Sequence, residues 1–323
     1  LRNPALVLLS SLFLLSCGGG GGSDGGPTQP VALCNSSTGL RAPLPACSVS
    51  APCTRLAAEL GTNPLPITTA TITPTCAAPQ WDPRYTQMVL GFSRDACIHR
   101  PPGASPSSTR PLVVWFHPGG NSAADLLIEN ETDLLAKADS FDLVGGGTRP
   151  GFILATVQGR NLHFPTAEPR DGQQHDFYYR DLASPSTNPD IANVDALIDK
   201  IVDQRIVDTK RIYVMGWSNG VFFSQLYAIA RNSTATAGGN YVAAASVFSS
   251  ASPFDDVSYN PFDDMLHNDG SFCAITPPAF TVPINIVYRT SDAAVACDSV
   301  QQPVLAPSRV TPLKTGSPRR VRL

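Results

Sequence analysis

The sequence predicts an α/β fold, a mostly parallel central sheet with helices on both faces. Three observations carry that prediction. Continuous apolar runs recur at Leu112–Phe116, Phe152–Val157, Ile212–Met215, Val242–Phe248 and Ile284–Tyr288, as strands buried on both faces require. Segments of helical period alternate with them, which argues for strand–helix–strand units. One run leads straight into Gly216-Trp217-Ser218-Asn219-Gly220 and continues as a helix-like stretch from Val221 to Arg231.

Taken in order, Tyr85–His99 reads as an edge strand or hairpin before Pro101-Pro102-Gly103. Leu112–Phe116 is the first buried strand. Residues Ser122–Ser140 read as a helix, with Leu126, Leu127, Leu134 and Leu135 near helical spacing. Phe152–Val157 is the next strand. In Asp190–Gln204, residues Ile191, Val194, Leu197, Ile198 and Ile201 fall along one helix face. Asn188 or Asp190 caps that helix, with Pro189 near its start. Ile212–Met215 enters the glycine–serine turn, and two further strands follow.

The N-terminus reads as a targeting segment (residues 1–17). Arg2 is a short basic region, and Ala5–Leu15 is apolar but too short to span a bilayer as a stable helix. Leu14-Leu15-Ser16-Cys17 resembles a bacterial lipobox, which implies that Cys17 becomes the first mature residue and carries lipid. The expected location is the bacterial cell envelope or the extracellular space. Gly18–Gly26 would be a flexible tether. Residues 18–80 are rich in Gly, Pro, Ser and Thr, and within them only Cys53–Leu60 suggests a short helix.

Net charge is −3 over 323 residues and no internal basic stripe occurs, which argues against nucleic acid as a partner. With Cys17 set aside, Cys34, Cys47, Cys53, Cys76, Cys97, Cys273 and Cys297 remain. In an exported protein these imply disulfides, most of them stapling the segment before residue 100. Their spacing matches no zinc site, so no metal and no organic cofactor is expected.

A strand, then G-x-S-x-G, then a helix is the context of a nucleophile elbow. It sets Ser218 at a strand tip, and the helix behind it offers backbone N–H groups to a developing oxyanion. Asn219, the residue after the nucleophile, is one such donor. His117-Pro118-Gly119-Gly120 follows the Leu112–Phe116 strand and is placed to give a second donor. Pro118 has no N–H, so that donor comes from Gly119, Gly120 or Asn121. Trp217 reads equally as pocket wall or core. Phe177-Tyr178-Tyr179 reads as packing or as an aromatic platform for substrate.

These pieces together resemble the α/β-hydrolase superfamily, and within it the secreted polyhydroxybutyrate depolymerase and feruloyl esterase group. The residues that carry the resemblance are Leu112–Gly120 (LVVWFHPGG), Gly151–Gly159 (GFILATVQG), Asp190–Asp203 (DIANVDALIDKIVD) and Val207–Gly220 (VDTKRIYVMGWSNG). It runs from about Tyr85 to Asp292. It departs at Val221, where that group usually has a further glycine.

The resemblance implies a Ser–Asp–His triad in that chain order. Ser218 is the nucleophile. Asp292, in Arg289-Thr290-Ser291-Asp292 after the Ile284–Tyr288 strand, orients the histidine. The histidine should follow Asp292, yet the five present are His99, His117, His163, His175 and His267. The stretch after about Pro303 is basic and without period. The expectation is therefore a hydrolase domain over 85–302, an aberrant tail over 303–323 from a truncated or shifted frame, and a missing last strand and helix.

The function so implied is carboxylic ester hydrolysis with a serine nucleophile. The implied partners are polymeric or polysaccharide-linked esters (polyhydroxyalkanoate, feruloyl or acetyl), and a membrane reached through the lipid anchor. Without the triad histidine the chain would be inactive. The alternatives are a non-catalytic surface lipoprotein of degenerate hydrolase fold and a serine peptidase of the same fold.

Overall fold

The computed structural model describes residues 67, 71–125, 134–142, 146–163, 172–177, 179, 181–231, 242–248, 255–256, 273–274, 282–289 and 309–313. Cys17, the Cys53–Leu60 helix, Asp292, His267 and Cys297 lie outside them. The main sheet has eight strands: β1 (Tyr85–Val89), β2 (Phe92–His99), β3 (Arg110–Phe116), β4 (Ile153–Val157), β5 (Val207–Trp217), β6 (Ala244–Phe248), β7 (Ile284–Arg289) and β8 (Arg309–Leu313). Their order across the sheet is β1-β2-β4-β3-β5-β6-β7-β8. The β1–β2 and β2–β4 pairs are antiparallel, and every other pair is parallel.

Tyr85–His99 is a hairpin. Leu90 and Gly91 turn it with φ of 47° and 82°. Positive φ at both central residues matches the right-handed twist of the flanking strands.

β3 shows why the apolar runs are continuous rather than alternating. Leu112, Val114 and Phe116 face one side of the sheet, where they pack with α2 (Pro189–Val202) and α3 (Asn219–Ala230). Val113 and Trp115 face the other, with Leu134 and Ala138 of α1 (Leu134–Asp139). Both faces are covered, so every position is apolar.

On α2, Ile191, Val194, Leu197, Ile198 and Ile201 are all at most 1% exposed. Burying each contributes about 1.5–3 kcal/mol before chain entropy is counted. Asn188, rather than Asp190, caps this helix: its Oδ1 accepts from Asp190 N–H (2.8 Å) and Ile191 N–H (3.3 Å). Pro189 fits the first turn because its missing N–H would have had no helical partner. Of the helix expected over Ser122–Ser140, residues 121–125 are loop and turn, 126–133 lie outside the described residues, and α1 begins at Leu134.

One expectation is corrected. The last strand is not missing: Arg309–Leu313 pairs in parallel with β7, from Asn285↔Arg309 to Arg289↔Leu313, beyond residue 302. The segment hides in the sequence because Pro312 interrupts a short run. An outermost strand accepts proline, since one row of its amides has no ladder partner to supply. A disulfide occurs where the sequence leads one to expect it. Cys76 is bonded to Cys97, and Cys97 lies in β2, fully buried. Both cysteines lie before residue 100, and the bridge ties Cys76 to the sheet.

Candidate active site

β5 carries the turn. Its last residues align with Phe116 of β3 (Phe116↔Gly216) and Phe248 of β6 (Phe248↔Trp217), at the edge where the parallel strands end. The next residue, Ser218, has φ 54° and ψ −120°, and α3 starts immediately after it. This conformation is disfavoured for any residue with a Cβ and persists only where the surroundings impose it.

The two flanking glycines do the imposing. A Cβ on Gly216 would lie 2.2 Å from the Gly220 carbonyl oxygen, and one on Gly220 would lie 2.1 Å from the Phe116 carbonyl oxygen. Strand and helix meet backbone to backbone on both sides of the serine, which leaves Ser218 half-buried at the tip.

This is the α/β-hydrolase fold.

Backbone amides stand at the two places where the sequence expects oxyanion donors. Val221 N–H donates to Ser218 O at 2.8 Å, and the Asn219 N–H opens the helix with no helical acceptor before it. Of Gly119, Gly120 and Asn121, the three candidate donors after β3, Gly119 alone has an amide with no acceptor among the described residues. Gly120, at φ +81°, turns its N–H to Gln173 O at 2.8 Å, and Asn121 donates to Pro118 O at 3.3 Å. Gly120, expected to share the donor role, therefore has its N–H committed to the neighbouring hairpin, Arg160–Leu162 with Gly172–Gln174.

None of the described histidines hydrogen-bonds Ser218. His117 is fully buried. Its Nδ1 donates to Pro118 O at 2.7 Å, and its Nε2 accepts from Gly159 N–H at 3.0 Å. Both nitrogens are committed, and burial lowers its pKa to about 4 despite the Pro118 bond. This imidazole is a neutral prop for the loop.

His99 is at the other end of the sheet. It pairs with Leu154, whereas Ala96 pairs with Val157 at the elbow edge, and its ring bonds Gln80 O and Asp139. His175 is fully buried, stacked on Phe223 at 5.2 Å between centroids, with neither ring nitrogen hydrogen-bonded. Burial holds its pKa well below the usual imidazole range. Asp292 lies outside the described residues. The strand it follows, β7, runs parallel to β6 and ends at the elbow's edge of the sheet.

Beneath the site lies a buried charge network that the sequence reading missed. Asp190 accepts from Arg94 Nη2 (2.5 Å), Arg160 Nε (3.1 Å) and Arg160 Nη2 (3.2 Å), and from Asp176 N–H (2.7 Å). Burial alone would raise its pKa, but Arg160 and then Arg94 outweigh that and hold it well below the ordinary carboxylate range. Asp176 also lies 3.5 Å from Arg160. The network joins β2, the hairpin and the start of α2. The only sequence signal was Asp190 inside a recognised motif; charged residues 30 to 96 positions apart along the chain show no local pattern that pairs them.

Two residues of the aromatic segment are packing. Phe177 and Tyr179 are buried, and Phe177 stacks on Phe222 at 4.5 Å; Tyr178 lies outside the described residues. Trp217 is half-buried, packs on the α1 face of the sheet and meets Phe248 edge-on at 6.4 Å.

No protein-family model and no curated protein matches this chain. Solved structures similar to it include a thermostable esterase at 16% identity, covering 73% of this chain and 55% of that one, with a TM-score of 0.42. The acylaminoacyl peptidase of Pyrococcus horikoshii is 12% identical over 74% of this chain and 38% of its own, TM-score 0.44. Dipeptidyl peptidase 4 of Porphyromonas gingivalis is 16% identical over 65% and 28%, TM-score 0.37. The chain thus spans between 28% and 55% of the length of these three. Likeness at this level does not choose between esterase and peptidase, and the fold rests on the strand order and the elbow.

Proposed function

We propose that this chain is a serine carboxylic ester hydrolase. The observation that carries the reading is the backbone of Ser218, held at φ 54° and ψ −120° by two glycines that no larger residue can replace. A strained, half-buried serine at the start of a helix, beside a loop with a free amide, is arranged for attack on a carbonyl carbon. Ser218 Oγ adds to the ester carbonyl, and the Asn219 and Gly119 N–H groups hold the oxyanion. The alcohol leaves, and water releases the acyl group from the serine.

Asp292 is the residue we assign to orienting the imidazole that takes the Ser218 proton. The substrates we assign are esters on polymers, either hydroxyalkanoate polyesters or feruloyl and acetyl groups on polysaccharide. The lipobox-like Leu14-Leu15-Ser16-Cys17 supports tethering at a bacterial membrane through lipid on Cys17.

One observation favours a second reading. No described imidazole bonds Ser218 Oγ, and a serine without its base is a weak nucleophile. That reading is a binding protein on a hydrolase scaffold.

One experiment separates the two. The full chain is assayed on p-nitrophenyl butyrate and treated with a fluorophosphonate, with Ser218→Ala in parallel. Turnover and labelling of the Ser218 peptide, both lost in the variant, establish the esterase. No turnover and no labelling in the wild type sinks it. Cleavage of peptide p-nitroanilides at a rate matching the esters would move the assignment to a peptidase.

A further inference from the structure

The amide of Asn219 belongs to the proposed oxyanion hole; its side chain has a separate task. It is 6% exposed and bonds the residue just after the hairpin, His175, reciprocally. Its Oδ1 accepts from His175 N–H at 2.8 Å, and its Nδ2 donates to His175 O at 3.2 Å and to Gln174 Oε1 at 3.3 Å. A carboxamide is the side chain that can accept from and donate to the same backbone residue, as a strand neighbour would.

The same hairpin segment grips the other half of the hole. Gln173 O takes the Gly120 N–H at 2.8 Å. The Gln174 side chain lies 3.6 Å from where a Gly119 Cβ would stand. Residues 173–175 are therefore bonded to the elbow helix on one side and to the loop after β3 on the other.

We propose that the Asn219 side chain is a positioning residue: through His175 and Gln174 it sets the distance between the two oxyanion donors, Asn219 N–H and Gly119 N–H. The inference rests on the serine hydrolase reading. It follows that the residue after the nucleophile acts twice, once with its own amide and once by placing the opposing one. A misplacement of about 1 Å in such a site can cost roughly a hundredfold in rate, and the loss falls on the transition state rather than on ground-state binding.

The test compares wild type, Asn219→Ala and Gln174→Ala in the full chain. Asn219→Ala keeps Ser218 and both donor amides. It is expected to lower kcat on p-nitrophenyl butyrate by roughly tenfold to a hundredfold, with KM nearly unchanged and the acid limb of the pH profile unmoved. Gln174→Ala, at a half-buried position, removes one of the three bonds and is expected to show a smaller loss of the same kind. It provides the readout if Asn219→Ala does not fold.

Hydrogen exchange gives a readout independent of turnover. The His175 amide should exchange faster in Asn219→Ala, while those of Val194 and Leu197 in α2 stay protected. Wild-type kcat in a folded Asn219→Ala overturns the proposal, as does a loss carried by KM alone. If wild type and Ser218→Ala are equally inert, the hydrolase reading fails. The clamp is then judged by exchange: faster His175 exchange supports it, and unchanged exchange overturns it.

Discussion

Gly216 faces the carbonyl of Gly220 so closely that a Cβ would lie 2.2 Å from its oxygen. The two residues bracket Ser218, and Gly220 in turn presses on the Phe116 carbonyl. Backbone cannot yield as a flexible side chain can, so either glycine replaced by alanine forces β5 and α3 apart. Gly216→Ala and Gly220→Ala are each expected to lose about 2–4 kcal/mol of stability, at or above the usual range for overpacking. Urea denaturation checks this. A variant within 0.5 kcal/mol or so of wild type, the ordinary range for a neutral surface change, would show that the contact relaxes cheaply.

Ser218 carries the cost of its own conformation. A residue in such a region is destabilised by about 1–3 kcal/mol, and glycine is not. Ser218→Gly is expected to abolish ester turnover and to raise the unfolding free energy by about 1 kcal/mol, the strain relieved less the added freedom of the unfolded chain. Equal or lower stability in calorimetry would mean that the serine is not strained.

Acid should weaken the fold through its buried histidines. The unfolded His117 titrates near 6.5, and burial lowers the folded one to about 4. Between these values the unfolded chain binds the proton more readily. The contribution is therefore complete above pH 6.5 and is lost as pH falls toward 4. For His117 alone the loss is roughly 3 kcal/mol at most, and His175 shifts in the same direction. Denaturation at pH 7.5 and pH 4.5 reads the difference; equal midpoints would contradict the burial of these rings.

His175 offers a sharper version. Its ring sits among Phe116, His117 and Phe223 with both nitrogens unsatisfied. His175→Phe removes two buried polar atoms without a partner to leave behind, which is expected to stabilise by about 1–2 kcal/mol at neutral pH and by more at pH 5. Destabilisation at both pH values would indicate that the imidazole has a role its neighbours do not reveal.

Asp190 balances Arg94 and Arg160 where none of the three reaches water, each being at most 2% exposed. Asp190→Asn keeps the shape and removes the charge. Breaking a buried pair by neutralising one partner costs about 3–5 kcal/mol, so the variant is expected to unfold at much lower urea or to be recovered insoluble. A midpoint equal to wild type would refute the network's role.

Much of the fold was legible because its signals are local. β3 and β4 are covered on both faces, so they read as unbroken apolar runs. α2 has one buried stripe, so Ile191, Val194, Leu197, Ile198 and Ile201 stand out by period. The elbow was legible because a tight strand–helix turn demands glycine on each side of one residue, and that demand is written in five consecutive positions. β8 was not legible: a short outer strand with a proline has too little pattern to show, and its pairing with β7 is a long-range event.

The sequence by itself determined the kind of sheet, its central strands, the helix α2 with its cap region, and the serine on which the site is centred. Each of these follows from spacing along the chain and from the conformations that glycine and proline allow. Only the tertiary structure decided that Gly119 rather than Gly120 keeps its amide, because the acceptor that claims Gly120 is Gln173, 53 residues away in the sequence. It alone decided that His117 is a prop, since Gly159 N–H occupies the one ring nitrogen left to accept. It also paired Asp190 with Arg94 and Arg160, because hydrogen bonds and charge pairs depend on proximity in space, which spacing along the chain does not encode.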